Sequence, residues 1–179
     1  ETLLANHVKA GEKHGVRLNL VDYPRLAQST AFGQLVAEVR AFDVTRLEGQ
    51  AERLAFYINA YNILTIQLIL DHWPVASIKD IGNWFRGPWD IVMLENADGR
   101  LSLDDIEHGI IRPMGEPRIH FAVNCASVSC PDLRTEPYRG ATLSTQLDAQ
   151  VERFLAEAGK GLSTGDAKLR VSRLLDWYA

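Results

Sequence analysis

The chain has 179 residues, 46% of them hydrophobic, which is enough for one domain with a real core and too short for two independent ones. Its formal net charge is −4, and no dense Lys/Arg run is present, so it lacks the electrostatic footprint of a nucleic-acid binder and no nucleic-acid partner is expected. The longest charge-free stretch, residues 54–70, contains Asn59, Asn62, Thr65 and Gln67; it is too short and too polar for a spanning helix, so no integral membrane segment is expected in this chain.

In chain order, residues 2–15 read as weakly helical, and Tyr23-Pro24 opens a connection to a helix over Thr30–Ala41. Asp43 caps a short turn. Gly49 separates that turn from a long helix over residues 50–72, which Pro74 ends. Apolar residues surround most of this helix, so it must be covered on several sides and is expected to be the hub of the fold. Asn59 and Asn62, spaced i,i+3, share one of its faces. Their amides either satisfy buried backbone, or orient a catalytic histidine or donate to a substrate oxyanion.

Residues 77–81 read as a short helical turn, and residues 83–88 as a loop carrying Trp84 and Arg86. Trp84 and Trp89 are structural or form a substrate wall. Residues 91–95 and 100–103 flank Asn96-Ala97-Asp98-Gly99, a hairpin-type turn signal. Ser102 then caps a short helix over residues 103–111, with Asp105 at the capping-box position and Pro113 closing it; Glu107 and His108 lie on this helix. Residues 118–123 read as a strand with Ile119, Phe121 and Val123 on one face. Residues 142–158 form an amphipathic helix, residues 168–171 a strand, and Ser172 caps a final helical turn.

No repeat, low-complexity tract or linker divides the chain, so residues 1–179 are read as a single domain. The expected fold class is α+β: the long buried helix packs on a small, mostly antiparallel sheet built from the hairpin and residues 118–123. Glu1 is not an initiator and the apolar pattern runs on to Trp177-Tyr178-Ala179, so both termini are expected to be trimmed.

The chemistry concentrates in Arg118-Ile119-His120-Phe121-Ala122-Val123-Asn124-Cys125-Ala126-Ser127-Val128-Ser129-Cys130-Pro131, which feeds both cysteines and a histidine into one turn. Small residues leave room for a helix or tight turn to start at Cys125. Free N–H groups at such a start favour a thiolate and can bind an oxyanion. Cys125 is therefore the candidate nucleophile, with Asn124, Ser127, Asn59 and Asn62 as candidate substrate or oxyanion lining. Its base is His108, beside Glu107, or His120, a few positions upstream, or neither of them. Glu107 orients the base, acts as one itself, or forms an ordinary salt bridge with Arg112 or Arg118.

Cys130 opens other readings. In an oxidising compartment it pairs with Cys125, as a structural lock or as the resolving thiol of a redox couple. The Cys-x4-Cys spacing is not the Cys-x-x-Cys of thioredoxin-like oxidoreductases. The cysteines and His120 match no familiar zinc pattern, and neither a metal nor another cofactor is expected. A glycine-rich phosphate loop, a serine nucleophile elbow and a His-Glu-x-x-His helix are all missing from the sequence.

Leu54-Ala55-Phe56-Tyr57-Ile58-Asn59-Ala60-Tyr61-Asn62, Leu101-Ser102-Leu103-Asp104-Asp105-Ile106-Glu107-His108 and the cysteine-bearing run together resemble the bacterial domain-of-unknown-function family 547. Bacterial members often carry export signals and plant members are attached to a coiled-coil segment. The resemblance therefore implies a periplasmic or extracellular location and is compatible with a protein partner. It implies no specific reaction. A histidine-bearing element ahead of a cysteine-bearing turn is also similar in layout to circularly permuted papain-like enzymes, an analogy rather than a sequence match.

The leading functional expectation is a cysteine-dependent acyl-transfer or hydrolase domain acting on a peptide or a small amide or thioester. The alternatives are a non-catalytic binding or interaction module, and a thiol redox protein using Cys125 and Cys130.

Overall fold

The N-terminal segment divides where the sequence suggests one weak helix. In the computed structural model, which describes residues 2–165 and 168–177, helix α1 covers only Thr2–His7. The chain then enters an antiparallel hairpin of β1 (Val8–Lys13) and β2 (Val16–Val21), turned at His14 and Gly15, both at positive φ. Val-Lys-Ala-Gly-Glu-Lys shows too little apolar alternation to declare itself a strand. Its partner Val-Arg-Leu-Asn-Leu-Val supplies the β pattern for both.

Helix α2 (Tyr23–Leu26) is capped by Asp22, and α3 (Thr30–Ala41) starts where Ser29 Oγ accepts the Phe32 N–H at 3.3 Å. Asp43 caps the 3-10 turn Val44–Arg46, as its position implies. Gly49, at φ 87°, then sets the start of α4 (Gln50–Asp71), a conformation that L side chains rarely adopt.

Helix α4 is the hub. Tyr57, Ile58, Ala60 and Leu64 are wholly inaccessible, and α3, β3 (Val92–Asn96) and the helical segment after β4 (Gly99–Ser102) all pack on it. Each fully buried Ile or Leu there contributes about 1.5–3 kcal/mol relative to exposure. By length and composition α4 resembles a membrane span, but most of its apolar stretch is packed inside the fold, as expected of a core helix.

The β3–β4 hairpin forms as its turn signal implies, with Asn96 opposite Gly99. The hub grips that turn: Arg53 Nη2 lies 2.6 Å from Asp98 Oδ2, and the Tyr57 hydroxyl donates to the same carboxylate. Ser102 and Asp105 make the expected capping box: the Ser102 N–H donates to Asp105 Oδ2 at 2.9 Å, and the Asp105 N–H donates to Ser102 Oγ at 3.1 Å. Beyond the cap the helix widens, and Asp105–Ile111 is π-helical, a rare geometry that is frequent at functional sites.

Residues 118–123 are not a strand. Pro117–Phe121 is a 3-10 segment whose cap is Glu116, with its carboxylate accepting the Arg118 N–H at 3.0 Å. Proline at the first turn presets the helical φ. Ile119, His120, Phe121, Ala122 and Val123 are buried consecutively, so the alternation that suggested a half-exposed strand does not describe their surroundings.

Further on come α5 (Leu143–Ala156), β5 (Leu162–Gly165), β6 (Lys168–Val171) and α6 (Leu174–Trp177), whose first turn takes a 3.2 Å bond from the Leu174 N–H to Ser172 Oγ. Among the described residues the strands form three separate two-stranded antiparallel sheets. The fold is thus α+β with a central helix, and short hairpins replace the single sheet expected. The reading of the C-terminal Tyr178-Ala179 lies outside the described residues.

Candidate functional site

The cysteine-bearing turn hangs from the hub through one side chain. Asn62 Nδ2 donates to the Ala122 carbonyl at 2.9 Å, and Asn62 Oδ1 accepts the Asn124 N–H at 2.8 Å. Asn124 repeats the device within the loop: its Nδ2 donates to the Pro131 carbonyl at 2.7 Å, and its Oδ1 accepts the Ala126 N–H at 2.8 Å. These bonds hold Ala126 at φ 58°, a left-handed conformation that costs a non-glycine residue of order 1 kcal/mol.

Within this frame Cys125 and Cys130 are joined by a disulfide, with Cα atoms 6.1 Å apart. Both cysteines are half-buried. In this form Cys125 presents no thiol, and the bond must open by thiol–disulfide exchange before the sulfur can act as a nucleophile. The Ser127 and Ser129 hydroxyls lie 3.1 Å apart on the exposed rim of the loop.

The other candidate residues gather around the π-helical segment. His120 is buried, with Nδ1 4.0 Å from Glu107 Oε1. Burial, and after it the charges of Arg112 and His108, pushes the imidazole down to about 4 and outweighs the carboxylate beside it. His120 is therefore neutral near pH 7. His108 is more exposed: Arg112 Nη1 donates to its Nδ1 at 3.0 Å, and its Nε2 lies 3.4 Å from Asp104. Glu107, His108, Arg112 and His120 thus form one polar cluster, while Asn62, Asn124, Cys125, Ser127 and Cys130 form the loop assembly. Among the described residues no group of three or more His, Cys, Asp or Glu side chains is arranged to hold a metal ion.

The loop's far end is fastened independently. Lys160, its side chain only 2% exposed, pairs with Asp132 and donates to the Cys130 carbonyl at 3.2 Å. Arg153 reaches Asp132 at 3.1 Å and donates to Asn19 Oδ1 at 2.8 Å, while Asn19 Nδ2 donates to the Leu133 carbonyl at 2.7 Å.

Two openings flank this fastened segment. On one side Asn19, Tyr23, Trp73, Asn124, Ser127 and Cys130 line a mixed polar cleft of about 260 Å³. On the other lies an apolar cavity of about 290 Å³, walled by Leu3 and His7 of α1, Phe32 and Val39 of α3, Asn59, Ile63 and Ile66 of α4, and residues 133–138. Leu133 belongs to both walls. Asn59 holds the lid of the cavity as Asn62 holds the loop: its Nδ2 donates to the Tyr138 carbonyl at 2.8 Å and its Oδ1 accepts the Tyr138 N–H at 2.9 Å.

The cavity also holds a polar feature that the sequence does not mark. His7 is buried, and its Nδ1 has no hydrogen-bond partner among the described residues. Only an amphipathic reading of the first turn and a half could have signalled this histidine, and that segment is too short to show a helical period.

A family model described as a protein of unknown function, DUF547, matches residues 44–155. The chain belongs to the DUF547 family. The DUF547 match takes in α4, the β3–β4 hairpin, the π-helical segment, the disulfide loop and nearly all of α5. The α1, α2 and α3 helices and the first hairpin lie outside it, so the DUF547 region supplies only part of the apolar cavity's wall. No curated protein and no solved structure matches the chain.

Proposed function

We propose that this DUF547 domain is a binding module that takes the apolar part of a small molecule or peptide into the cavity between α1, α3, α4 and residues 133–138. The observation that carries this reading is the cavity itself, about 290 Å³ and mostly apolar, with His7, Asn59, Asn62, Arg134 and Glu136 as the polar members of its wall. A dry cavity of about 150 Å³ accepts benzene, so this one has room for about a dozen non-hydrogen atoms. Filling it supports affinities in the micromolar to millimolar range. The amides of Asn59 and Asn62 are committed to backbone, and the buried Nδ1 of His7, with Arg134 and Tyr138 on the same wall, is placed to meet a polar end of the ligand.

The test uses 1-decanol and decanoate as probes, followed by methyl chemical shifts of Leu3, Ile63 and Ile66. Saturable shifts that Leu35→Trp, on the α3 wall of the cavity, abolishes by filling it are the expected result. Shifts absent with both probes, or unchanged in Leu35→Trp, overturn the proposal.

The disulfide carries a second reading, cysteine chemistry in a papain-like layout. Reduction by a dithiol frees Cys125 for acyl transfer or thiol exchange, with the buried Glu107–His120 pair upstream as the candidate base. Iodoacetamide labelling of Cys125 against pH, after mild reduction, tests it. An apparent pKa well below the ~8.5 of a free thiol supports this chemistry, and a value at or above it argues against it. The paired cysteines also support an oxidising location, the periplasm or cell exterior.

A further inference from the structure

The two most exposed large hydrophobic side chains among the described residues are adjacent: Trp84 is 94% and Phe85 90% accessible. They sit at the tip of a tight turn that is built rather than loose. Asn83 and Arg86 bridge across it, the Asn83 N–H donating to the Arg86 carbonyl at 2.9 Å, and Asn83 Oδ1 accepts the N–H groups of Phe85 at 2.9 Å and Arg86 at 3.0 Å. Gly82 lies at φ 112°, where a Cβ would stand 2.3 Å from the Arg86 carbonyl oxygen. The turn is anchored at its base by buried Ile81 and Pro88, and Asp90 accepts the Gly87 N–H at 2.8 Å. A turn fixed by so many local bonds holds its aromatics outward by design of the backbone, not by fraying.

We propose that the Trp84-Phe85-Arg86 tip inserts into the interface of a phospholipid bilayer and docks the domain on a membrane surface. Three features favour a bilayer over a protein groove. The two aromatics stand clear of the protein, 94% and 90% accessible, and of the residues at their base Asn83, Gly87 and Asp90 add little apolar area while Trp89 is half-buried against the core. Two aromatic side chains carry about 150–250 Å² each, well under the roughly 800 Å² per partner of a stable protein interface, whereas a fluid interface needs no shaped counterpart. Tryptophan, with an apolar body and one N–H donor, settles at headgroup level. Arg86 is exposed beside the aromatics and pairs with no carboxylate among the described residues, so its fork is available to lipid phosphate. Because the whole chain carries a net charge of −4, an anionic surface repels the rest of the molecule and the tip alone supplies attraction and orientation.

Flotation of the full chain with vesicles of phosphatidylcholine alone, and of phosphatidylcholine with phosphatidylglycerol, tests the proposal. The expected result is co-flotation with a blue shift of tryptophan emission. The Trp84→Ser/Phe85→Ser double variant should lower partitioning at least tenfold, and Arg86→Gln should lower it severalfold. Both variants change exposed side chains, and unaltered circular dichroism together with unaltered decanol shifts at Ile63 separates this outcome from any failure of the cavity. Wild-type protein that stays at the bottom of the gradient with both vesicle types, or a double variant that floats like wild type, overturns it.

Discussion

Asn62→Ala isolates the attachment of the disulfide loop to the hub. Asn62 is 6% exposed on α4, and its amide makes two bonds at 2.8–2.9 Å to main chain that has left the last helical turn. Truncation removes both. The Ala122 carbonyl and the Asn124 N–H then lack their partner in a crevice beside the core, and each buried group left unsatisfied costs about 1–3 kcal/mol. The sum is about 2–6 kcal/mol, reduced toward the lower figure if water enters from the adjoining cavity. Against a total stability of about 5–15 kcal/mol, that is a large loss. With a urea slope of about 2 kcal/mol per molar, the denaturation midpoint should fall by about 1–3 M. Hydrogen exchange at the Asn124 amide should accelerate in parallel, since that proton loses its acceptor. Asn62→Asp keeps the acceptor but aims a carboxylate oxygen at the Ala122 carbonyl, so it should not rescue. A midpoint shift below about 0.3 M with unchanged exchange at Asn124 would refute the reasoning.

Three further outcomes follow from buried charge and backbone. His120, held near 4 in the fold against about 6.5 in the unfolded chain, binds its proton first when unfolded; stability should therefore be full above pH 6.5 and fall by up to roughly 3 kcal/mol as pH drops toward 4. Urea midpoints from pH 4 to 7.5 should show this slope for wild type and a flatter one for His120→Gln, and identical slopes would contradict it. Lys160→Met leaves the buried carboxylate of Asp132 with Arg153 as its remaining cation, and should destabilise by about 3 kcal/mol in urea titration. Gly82→Ala should open the aromatic turn, because a Cβ there meets the Arg86 carbonyl at positive φ; the amide shifts of Phe85 and Arg86 should move while those of α4 stay in place.

The elements that the sequence discloses are those whose signals are local. Gly49, Asp43, Ser102 with Asp105, and the Asn96–Gly99 turn each dictate a backbone geometry within a few residues, and the elements they bound appear where expected. Ile119-His120-Phe121-Ala122-Val123 misleads because apolar alternation means a strand only when one face is wet, and here α5 packs on the segment and every residue of the run is buried. The two asparagines of α4 are legible as a pair, but their partners lie 60 and 79 positions away. The candidate site divides in the same way. The cysteine turn is visible as a motif, and its pairing was one of the open readings. The cavity is invisible, because four stretches of ordinary core residues from remote parts of the chain make up its wall.

The sharing of Leu133 by both openings makes the stretch around it a partition, and the bonds that brace this partition come from outside the region that defines the family. Asn19 in β2 ties the Leu133 carbonyl, and Lys160 holds Asp132 from beyond α5. A fragment cut to residues 44–155 would keep the cysteines and the π-helical segment, but it would strip Ile63 and Ile66 of their cover by α1 and α3 and unbrace the partition on both flanks. The shape of both openings therefore depends on sequence lying beyond the family boundary, so two members alike across that span can differ in these openings through their flanks alone.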